Sequence, residues 1–482
     1  MTATPPPGSP APSAAVSAGT TSPRGGFNLD VERPGLADAA RAYLTRLRSG
    51  DPGALPSLFG LIVLVIIFNS ISSRFLSKIN IGNLPGQGAY IAIIALGIVF
   101  VLLLGEIDLA AGTTGGMAAA YSAQAISSHG LHHGVPTLFY TITLAAMIAA
   151  ALLGFWVRLI SGPIVVLLGV LLLLTGADKH VIPALIISVS IGAAVGIFTG
   201  WLVAKVGIPS FIVTLALFLA WQGVVLYILN AQPINVSQYS FWNDLANESM
   251  SPAWGWIYAA ALLAAYLAYT LSRALSAQRR GLAGDSISLV LARFGVLAVV
   301  SAVLVWFFNQ NRNPNAGAKI QGVPWAVSVP IGLMIVCTLA LTKTTWGRHL
   351  FATGGNAEAA RRAGIDVTKI KISAFTVSSA IAAVGGAFLA SQQGSVNLAI
   401  GSGNILLFAV AAAVIGGTSL FGGRGKPRDA IIGAIVIAII PNGLGLRPSL
   451  AIHPEYQQII TGLVLLVAAA VDALSRRRAA RG

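Results

Sequence analysis

Long apolar runs separated by short polar stretches dominate the chain. Runs of about 17–25 apolar residues are long enough to cross a bilayer as α-helices. The pattern predicts about fourteen such segments, and twelve to fourteen if the short and glycine-broken runs are discounted. The predicted segments are 55–72, 88–104, 113–128, 137–157, 161–176, 181–204, 210–229, 254–272, 287–308, 328–342, 372–391, 405–421, 428–446 and 456–474. We therefore predict an all-α polytopic membrane protein with one transmembrane domain over residues 54–475.

Composition and charge agree with a membrane-embedded chain. Of the 482 residues, 56% are hydrophobic and 9% are charged, whereas soluble domains carry about 25% charged residues. The net charge of +15 would favour nucleic-acid binding in a soluble protein. Here Lys and Arg concentrate in alternate loops, as the positive-inside rule requires. We therefore predict contact with membrane lipid, no nucleic-acid partner, and cytoplasmic N- and C-termini.

The two ends of the chain differ from the apolar domain. Residues 1–53 begin with a stretch rich in Pro, Ala, Ser and Gly, which predicts a disordered cytoplasmic tail rather than a secretory signal. Residues 476–482 form a basic tail. Between the predicted helices, 230–253 and 309–327 are predicted to be polar outer loops.

Two carboxylates interrupt the apolar pattern in the stretch "GEIDLAAG". Glu106 and Asp108 lie between two predicted helices and are surrounded by Gly and Thr. A carboxylate at membrane depth is costly unless it faces water, protein or a partner. The stretch fits a helix break that lines a transport path, and it equally fits a short surface loop that caps the next helix.

Patterns for catalysis, metal binding or nucleotide binding are missing from the sequence. Cys337 is the single cysteine, and no Cys/His spacing resembles a zinc site. The stretch "GGRGK" fails as a phosphate-binding loop, because Pro427 follows Lys426 and Leu420 stands where glycine is required. We therefore predict a protein that is not an enzyme, with no metal site and no cofactor of its own.

The polar stretch "ATGGNAEAARRAGI" at 352–365 predicts a short helix. Asn356 is a good N-cap after a flexible Gly354-Gly355 pair, Glu358 can pair with Arg362, and Gly364 is a natural stop. A helix of about seven residues is marginal alone in water. It must therefore dock, either on its own membrane domain or on a partner protein.

Four motifs in order give the chain a family resemblance. The stretches "GEIDLAAG", "AKVGIPSFIVTLALFLAWQG", "ATGGNAEAARRAGIDVTKIKISAF" and "AAAVIGGTSLFGGRG" resemble the permease subunits of bacterial ATP-binding-cassette (ABC) importers for monosaccharides, of the ribose/xylose class. The Glu in "GEIDLAAG" and the long loop 309–327 are most similar to the xylose branch. The resemblance implies an inner-membrane permease that imports a pentose such as xylose or a related sugar. It also implies three partners, namely a separate ATPase subunit that hydrolyses ATP, an extracytoplasmic sugar-binding protein and a second permease copy.

The resemblance also implies roles for particular residues. Residues 343–371 would be the cytoplasmic coupling loop, and the residues that contact the ATPase would be Gly355, Asn356, Glu358, Ala359, Arg361, Arg362, Gly364 and Ile365. The residues that shape the translocation path would be Glu106, Asp108, Leu109, Gly112, Thr418 and Ser419. The hydrophobic hairpin at 137–180 and the long N-terminal tail depart from the usual family pattern.

Two other classes of function stay open at this stage. An ion-coupled secondary transporter would use Glu106 or Asp108 as its proton- or cation-binding acid. A membrane-embedded transferase would need catalytic carboxylates in its outer loops, and these offer only Asp244, Glu248 and Glu455. The transferase is the least favoured class.

Overall fold

The computed structural model describes residues 55–447 without 283–285, 314, 316 and 318, together with 41, 45, 455, 456, 458–460, 462, 463 and 466. Three predictions therefore lie wholly or largely outside the described residues, namely the N-terminal tail, the last apolar segment and the basic C-terminal tail.

Helices make up nearly all of the regular structure in the described part of the chain. They are α1 (Leu55–Ile71), α2 (Lys78–Leu103), α3 (Ala111–Ser127), α4 (Leu131–Gly134), α5 (Thr137–Trp156), α6 (Ser161–Leu174), α7 (Val181–Trp201, continued by a π-helical turn at Leu202–Val206), α8 (Ser210–Ile228), α9 (Ser240–Asn247), α10 (Pro252–Arg279), α11 (Ile287–Phe308), α12 (Trp325–Lys343), α13 (Thr345–Gly355), α14 (Ala357–Arg362), α15 (Val367–Gln393), α16 (Asn404–Ile415) and α17 (Pro427–Gly445). A 3₁₀ turn covers Ala177–Lys179. Strands β1 (Ile234–Asn235) and β2 (Ser395–Val396) pair antiparallel, with Ile234 opposite Val396.

The predicted all-α membrane fold is confirmed. Nine helices among the described residues are long and apolar enough to cross a membrane. Each of the first thirteen predicted segments contains a helix. The count of fourteen spans and the cytoplasmic location of both termini remain predictions.

Helix α15 lies at the centre of the bundle, packed against α2, α3 and α7. Its neighbours approach through glycines, so that the helix backbones touch directly. A Cβ on Gly97 of α2 would lie 2.7 Å from the Ser378 carbonyl oxygen, and one on Gly196 of α7 would lie 2.4 Å from that of Phe375. Small residues allow this close approach, which stabilises helix pairs where no water is present to drive association.

Two helical hairpins lie at the edge of the bundle. Helices α5 and α6 fall within the predicted hairpin 137–180 and pack on α7, where Ser190 Oγ donates to the Val165 carbonyl over 2.8 Å. Helices α10 and α11 pack mainly on each other. Both hairpins expose large apolar side chains, as helices that face lipid do.

Three predicted helix boundaries were wrong by six residues or more, and one of them is the end of α10, which lies at Arg279 rather than 272. Helix α2 begins at Lys78 rather than 88, because Ser77 caps it and its first turns pack tightly, with Pro85 inside the helix. Helix α16 ends at Ile415 rather than 421, because the next residues form a glycine-rich loop. In that loop φ is +120° at Gly417 and +85° at Gly422, a conformation that favours glycine.

The predicted polar loop 230–253 contains an ordered element, α9. Trp242 of α9 is fully buried, and its Nε1 donates to the Ala387 carbonyl over 2.9 Å. Asn247 Nδ2 donates to the Ser391 carbonyl over 2.8 Å. Helix α9 is therefore fixed to the C-terminal end of α15. We call this end of the bundle the distal end, and the end that carries α14 the coupling end.

The backbone contact between α15 and α3 leads to a stability prediction. A Cβ on Gly386 would lie 2.0 Å from the Gly115 carbonyl oxygen, whereas one on Gly332 of α12 meets nothing within 4 Å. We expect Gly386→Ala to lower the free energy of unfolding by about 1–3 kcal/mol, the usual cost of overpacking. Gly332→Ala should be neutral or slightly stabilising, since alanine favours helix. Equal thermal stability of the two variants in detergent would contradict the packing described here.

Candidate functional site

Helix α14 has the local structure that the sequence predicts, with six residues instead of about seven. Asn356 Oδ1 accepts from the Ala359 N–H over 2.9 Å. Glu358 pairs with Arg362 over 3.2 Å and also with Arg361 over 2.7 Å. Gly364 has a φ of +83°. The Gly364 N–H donates to the Arg361 carbonyl and the Ile365 N–H to that of Ala360, so both hydrogen bonds of a Schellman stop are present.

One face of α14 is open to a partner. Ala360 is buried and Ile365 packs on the main hydrophobic core. Ala359, Arg361 and Arg362 are exposed. Helix α14 therefore rests on its own membrane domain through one narrow edge and leaves its charged face uncovered in the described structure.

The predicted flexible pair before α14 was wrong, because Gly354 and Gly355 end helix α13. Helix α13 is anchored by Trp346, whose Nε1 donates to Ser373 Oγ of α15 over 2.7 Å. A Cβ on Gly354 would lie 1.8 Å from the Leu103 carbonyl oxygen. Gly354 is therefore needed for close packing against the end of α2. Gly355, in contrast, has open space around its Cα.

Glu106 lies in the segment 104–110 that connects α2 to α3. Its carboxylate forms an ion pair with Lys371 of α15, and the two side chains are 17% and 23% exposed. The next residue is held by α8, because the Ile107 N–H donates to Ser210 Oγ over 3.2 Å and Thr214 Oγ1 donates to the Ile107 carbonyl over 3.3 Å. Glu106 thus lies at the coupling end and already has a cationic partner.

Asp108 is buried in the same connecting segment rather than lying in a surface loop. Its Oδ1 accepts from the Ala110 N–H over 3.0 Å, just before α3 begins. Burial raises the pKa of Asp108 from 3.8 to about 6, although hydrogen bonds from the Ala110 and Ala111 backbone oppose the shift. The carboxyl group can therefore hold a proton at mildly acidic pH.

The other predicted path residues lie in the segment 104–110, at the start of α3 and in the loop 416–426. Leu109 is half-buried against the main core, and a Cβ on Gly112 would lie 2.6 Å from the Gly401 carbonyl oxygen. Thr418 is buried, and its Oγ1 has no hydrogen-bond partner among the described residues. Ser419 Oγ accepts from the Phe421 N–H over 3.1 Å.

Two loops and the C-terminal end of α13 meet beside the carbonyl of Leu103. The Gly423 N–H donates to this carbonyl over 2.8 Å, and Gly354 packs directly on it. A Cβ on Gly105 would lie 3.3 Å from the Phe421 carbonyl oxygen. The loop 104–110, the loop 416–426 and the residues before α14 are therefore in contact at the coupling end.

Irregular backbone continues from this junction into the bundle. The loop 397–403 follows β2, and its Ile400 carbonyl oxygen is 2.1 Å from where a Cβ of Gly116 would be. Gly115, in the same turn of α3, packs on Ala382 in the middle of α15. Within a membrane domain, non-helical backbone is tolerated where protein buries it or where it lines an aqueous cavity. Helix α3, which follows the predicted helix break at 104–110, thus packs on a second irregular segment.

Comparison with known proteins identifies a family. Residues 160–469 match the family described as the branched-chain amino acid transport system / permease component. The xylose transport system permease protein XylH of Escherichia coli K12 is 30% identical over 445 residues, which cover 92% of this chain and 97% of that protein. The chain belongs to this permease family.

Two further relatives extend the similarity. XylH of Haemophilus influenzae is 28% identical over 419 residues, covering 86% of the permease and 95% of the relative. The ribose import permease protein RbsC of Escherichia coli K12 is 26% identical over 420 residues, covering 86% and 92%. No solved structure matches. The resemblance to ribose/xylose-class permeases is confirmed, and the permease is a multi-pass membrane protein.

Sequence reasoning missed several residues of the site. Lys371, Ser210 and Thr214 gave no signal, because each is an ordinary residue within or beside an apolar run. Their partners lie far away in the sequence, with Lys371 separated from Glu106 by 265 positions. The doubled ion pair of Glu358 could have been found, since Arg361 lies three residues further along the same helix.

The buried carboxyl group of the permease leads to a prediction on pH. The pKa of Asp108 in the folded state, about 6, lies above the 3.8 of the unfolded chain. The folded state therefore binds this proton more tightly, and the free energy of unfolding falls as pH rises from about 4 to about 6. Asp108→Asn should remove this decrease in the free energy of unfolding. At pH 8 the variant should be more stable than the parent by up to about 3 kcal/mol, because the pKa difference of roughly two units corresponds to about that free energy.

Thermal unfolding in detergent between pH 4 and pH 8 measures the effect. Glu358→Gln is the matched control, because it removes a carboxylate that is exposed. Parallel stability curves for the parent and Asp108→Asn would contradict the assignment.

Proposed function

We propose that the permease is the membrane-spanning subunit of an ABC importer that carries a monosaccharide, of the size of a pentose, into the cell. A separate ATPase subunit supplies the energy, and an extracytoplasmic binding protein delivers the sugar. Two copies of the permease enclose the path. In this proposal ATP is bound and hydrolysed by the separate subunit and not by the permease.

The observation that carries the sugar assignment is similarity along nearly the whole chain to permeases whose names state xylose transport and ribose import. Xylose and ribose are both pentoses, so one substrate class accounts for both relatives. The family description names branched-chain amino acids, but the relatives that cover most of the chain are named for sugars.

The proposed ATPase contact is the exposed face of α14. A helix of six residues buries too little surface to be stable alone. Its N-cap, its two ion pairs and its Schellman stop hold its shape, while Ala359, Arg361 and Arg362 stay exposed. A groove on the ATPase would cover this face. We assign Gly355, Asn356, Glu358, Ala359, Arg361, Arg362, Gly364 and Ile365 to the contact or its support.

The proposed sugar path runs past the irregular segments of the bundle. Glu106, Asp108, Leu109, Thr418 and Ser419 would shape its coupling end, and Gly112 would allow the loop 397–403 to approach α3. Such breaks are common where transporters bind or release polar substrates.

The ion-coupled alternative is not favoured. Glu106 is already paired with Lys371, so it is not an unpaired acid that could bind a transported cation. The relatives are named as permeases of transport systems and of import, as expected for one subunit among several.

Uptake measurements test the proposed function. The permease is reconstituted in proteoliposomes with its ATPase subunit, and uptake of labelled xylose and ribose is measured with the binding protein on the outside. We expect uptake to require both internal ATP and the binding protein. Branched-chain amino acids serve as the substrate control. Uptake driven by a proton gradient without ATP would contradict the proposal.

A bulky substitution on α14 tests the ATPase contact. Ala359→Trp should block docking and reduce co-purification of the ATPase and ATP-driven uptake about tenfold or more, because a large side chain would stand in the contact. Ala253→Trp is the matched control, since Ala253 is also exposed but lies in the first turn of α10, six residues after α9 of the distal end. If both variants retain the ATPase and transport normally, α14 is not the contact.

A further inference from the structure

Helix α14 is joined to α15 by a short, stiff connection. Residues 363–366 separate the two helices, and two of their N–H groups donate the hydrogen bonds of the Schellman stop to carbonyls of α14. Asp366 then caps α15, since its Oδ1 accepts from the Lys369 N–H over 2.9 Å. A displacement of α14 therefore reaches the first turns of α15 with little slack.

In these first turns of α15, the charged side chain of Lys371 contacts the segment 104–110. Its Nζ is paired with a Glu106 carboxylate oxygen, and both side chains are largely shielded from solvent. A shielded ion pair of this kind resists separation more than an exposed one, because each charge would lose its partner while still partly buried. In contrast, the pairs of Glu358 on α14 are more than half exposed.

Beyond Glu106, the chain runs toward the middle of the bundle. Lys371 of α15 is paired with Glu106, and Ala382 of α15 packs on Gly115. Helix α15 advances about 16 Å between these two contacts, at 1.5 Å per residue. The segment 106–110 covers part of this distance without helical structure. It leads into α3, whose Gly112 and Gly116 touch the loop 397–403. The ion pair thus joins the start of α15 to the non-helical segment 106–110, which leads into α3 beside the loop 397–403.

We propose that Glu106 and Lys371 are positioning residues that transmit movement of the ATPase-contacting helix α14 to the interrupted segment before α3. The inference rests on the proposed function, and it gives the pair a mechanical role rather than a role in ion or sugar binding. Serine and threonine contacts from α8 to Ile107 hold the far side of the segment. Movement at Lys371 therefore shifts the segment relative to α8.

A charge exchange separates this role from simple stabilisation. The variants are Glu106→Gln, Lys371→Gln and the double variant Glu106→Lys with Lys371→Glu. The exchange restores an ion pair with reversed polarity. It also suits the helix dipoles, since a cation would follow the C-terminus of α2 and an anion would lie near the N-terminus of α15. Lys179→Gln is the control for loss of a charge, because Lys179 is exposed and lies in the hairpin 137–180, outside the assigned contact and path.

The decisive readout is the ratio of sugar molecules imported to ATP molecules hydrolysed. Co-purification of the ATPase and thermal stability are measured alongside. We expect both single variants to bind the ATPase and hydrolyse ATP, while sugar uptake per ATP falls about tenfold, within the range usual for coupling between sites. The double variant should recover at least half of the parental ratio. Lys179→Gln should leave the ratio unchanged.

Two results would overturn the inference. One is an unchanged ratio of uptake to hydrolysis in the single variants. The other is a loss of stability or ATPase binding that fully accounts for lower uptake, without recovery in the double variant. The parent protein in the same assay separates the two proposals: if it shows no ATP-driven uptake, the proposed function fails, whereas normal parental uptake with indifferent variants rejects only the role of the pair.

Discussion

Direct contact between helix backbones around α15 is the constraint on which the rest of the structure depends. Glycines of α2, α3 and α7 bring carbonyl groups to distances at which no side chain fits between the helices. Protein interiors are packed too densely to absorb such changes locally. Helix α15 and its three neighbours therefore form a stiff unit, and movement within the domain is concentrated where irregular segments and loops meet this unit.

This unit also connects the two ends of the bundle. Helix α15 has 27 residues, about 40 Å of length. It follows α14 at the coupling end and holds α9 through Trp242 and Asn247 at the distal end. A single helix thus has an ordered short helix attached near each of its ends. Such an arrangement lets an event at one end of the bundle bias the other without any long-range rearrangement of the core.

Features with local causes could be predicted from the sequence, and those with distant causes could not. The cap by Asn356, the pairing of Glu358 with Arg362 and the stop at Gly364 all involve residues within five positions, and all three are present. The sequence predicted that Gly354 is flexible. In the structure it packs on the carbonyl of Leu103, which is far away along the chain. Arg312 lies in a stretch that was expected to be a polar loop. It is nevertheless buried, donating to the carbonyls of Phe308 and Gly322.

The same distinction applies to the fold. Apolar run length identified the helices, because burying backbone polar groups in lipid requires helical hydrogen bonding. Run length could not give the start of α2, where contacts with other parts of the chain outweigh the local effect of Pro85. Nor could it show that α16 is short, because Leu420 and Phe421 extend the apolar run beyond the glycines that follow Ile415. Polar interruptions alone are therefore a poor guide to where a membrane helix ends.

The peripheral hairpin has a consequence for the surrounding lipid. Helix α6 has 14 residues, or about 21 Å, whereas the hydrocarbon core of a typical bilayer is about 30 Å thick. Its outer side exposes leucine and isoleucine along its whole length. Acyl chains beside this helix must shorten or tilt to match it. Helix α5 of the same hairpin has 20 residues and matches the full thickness, so the mismatch is confined to the side of the hairpin that α6 covers.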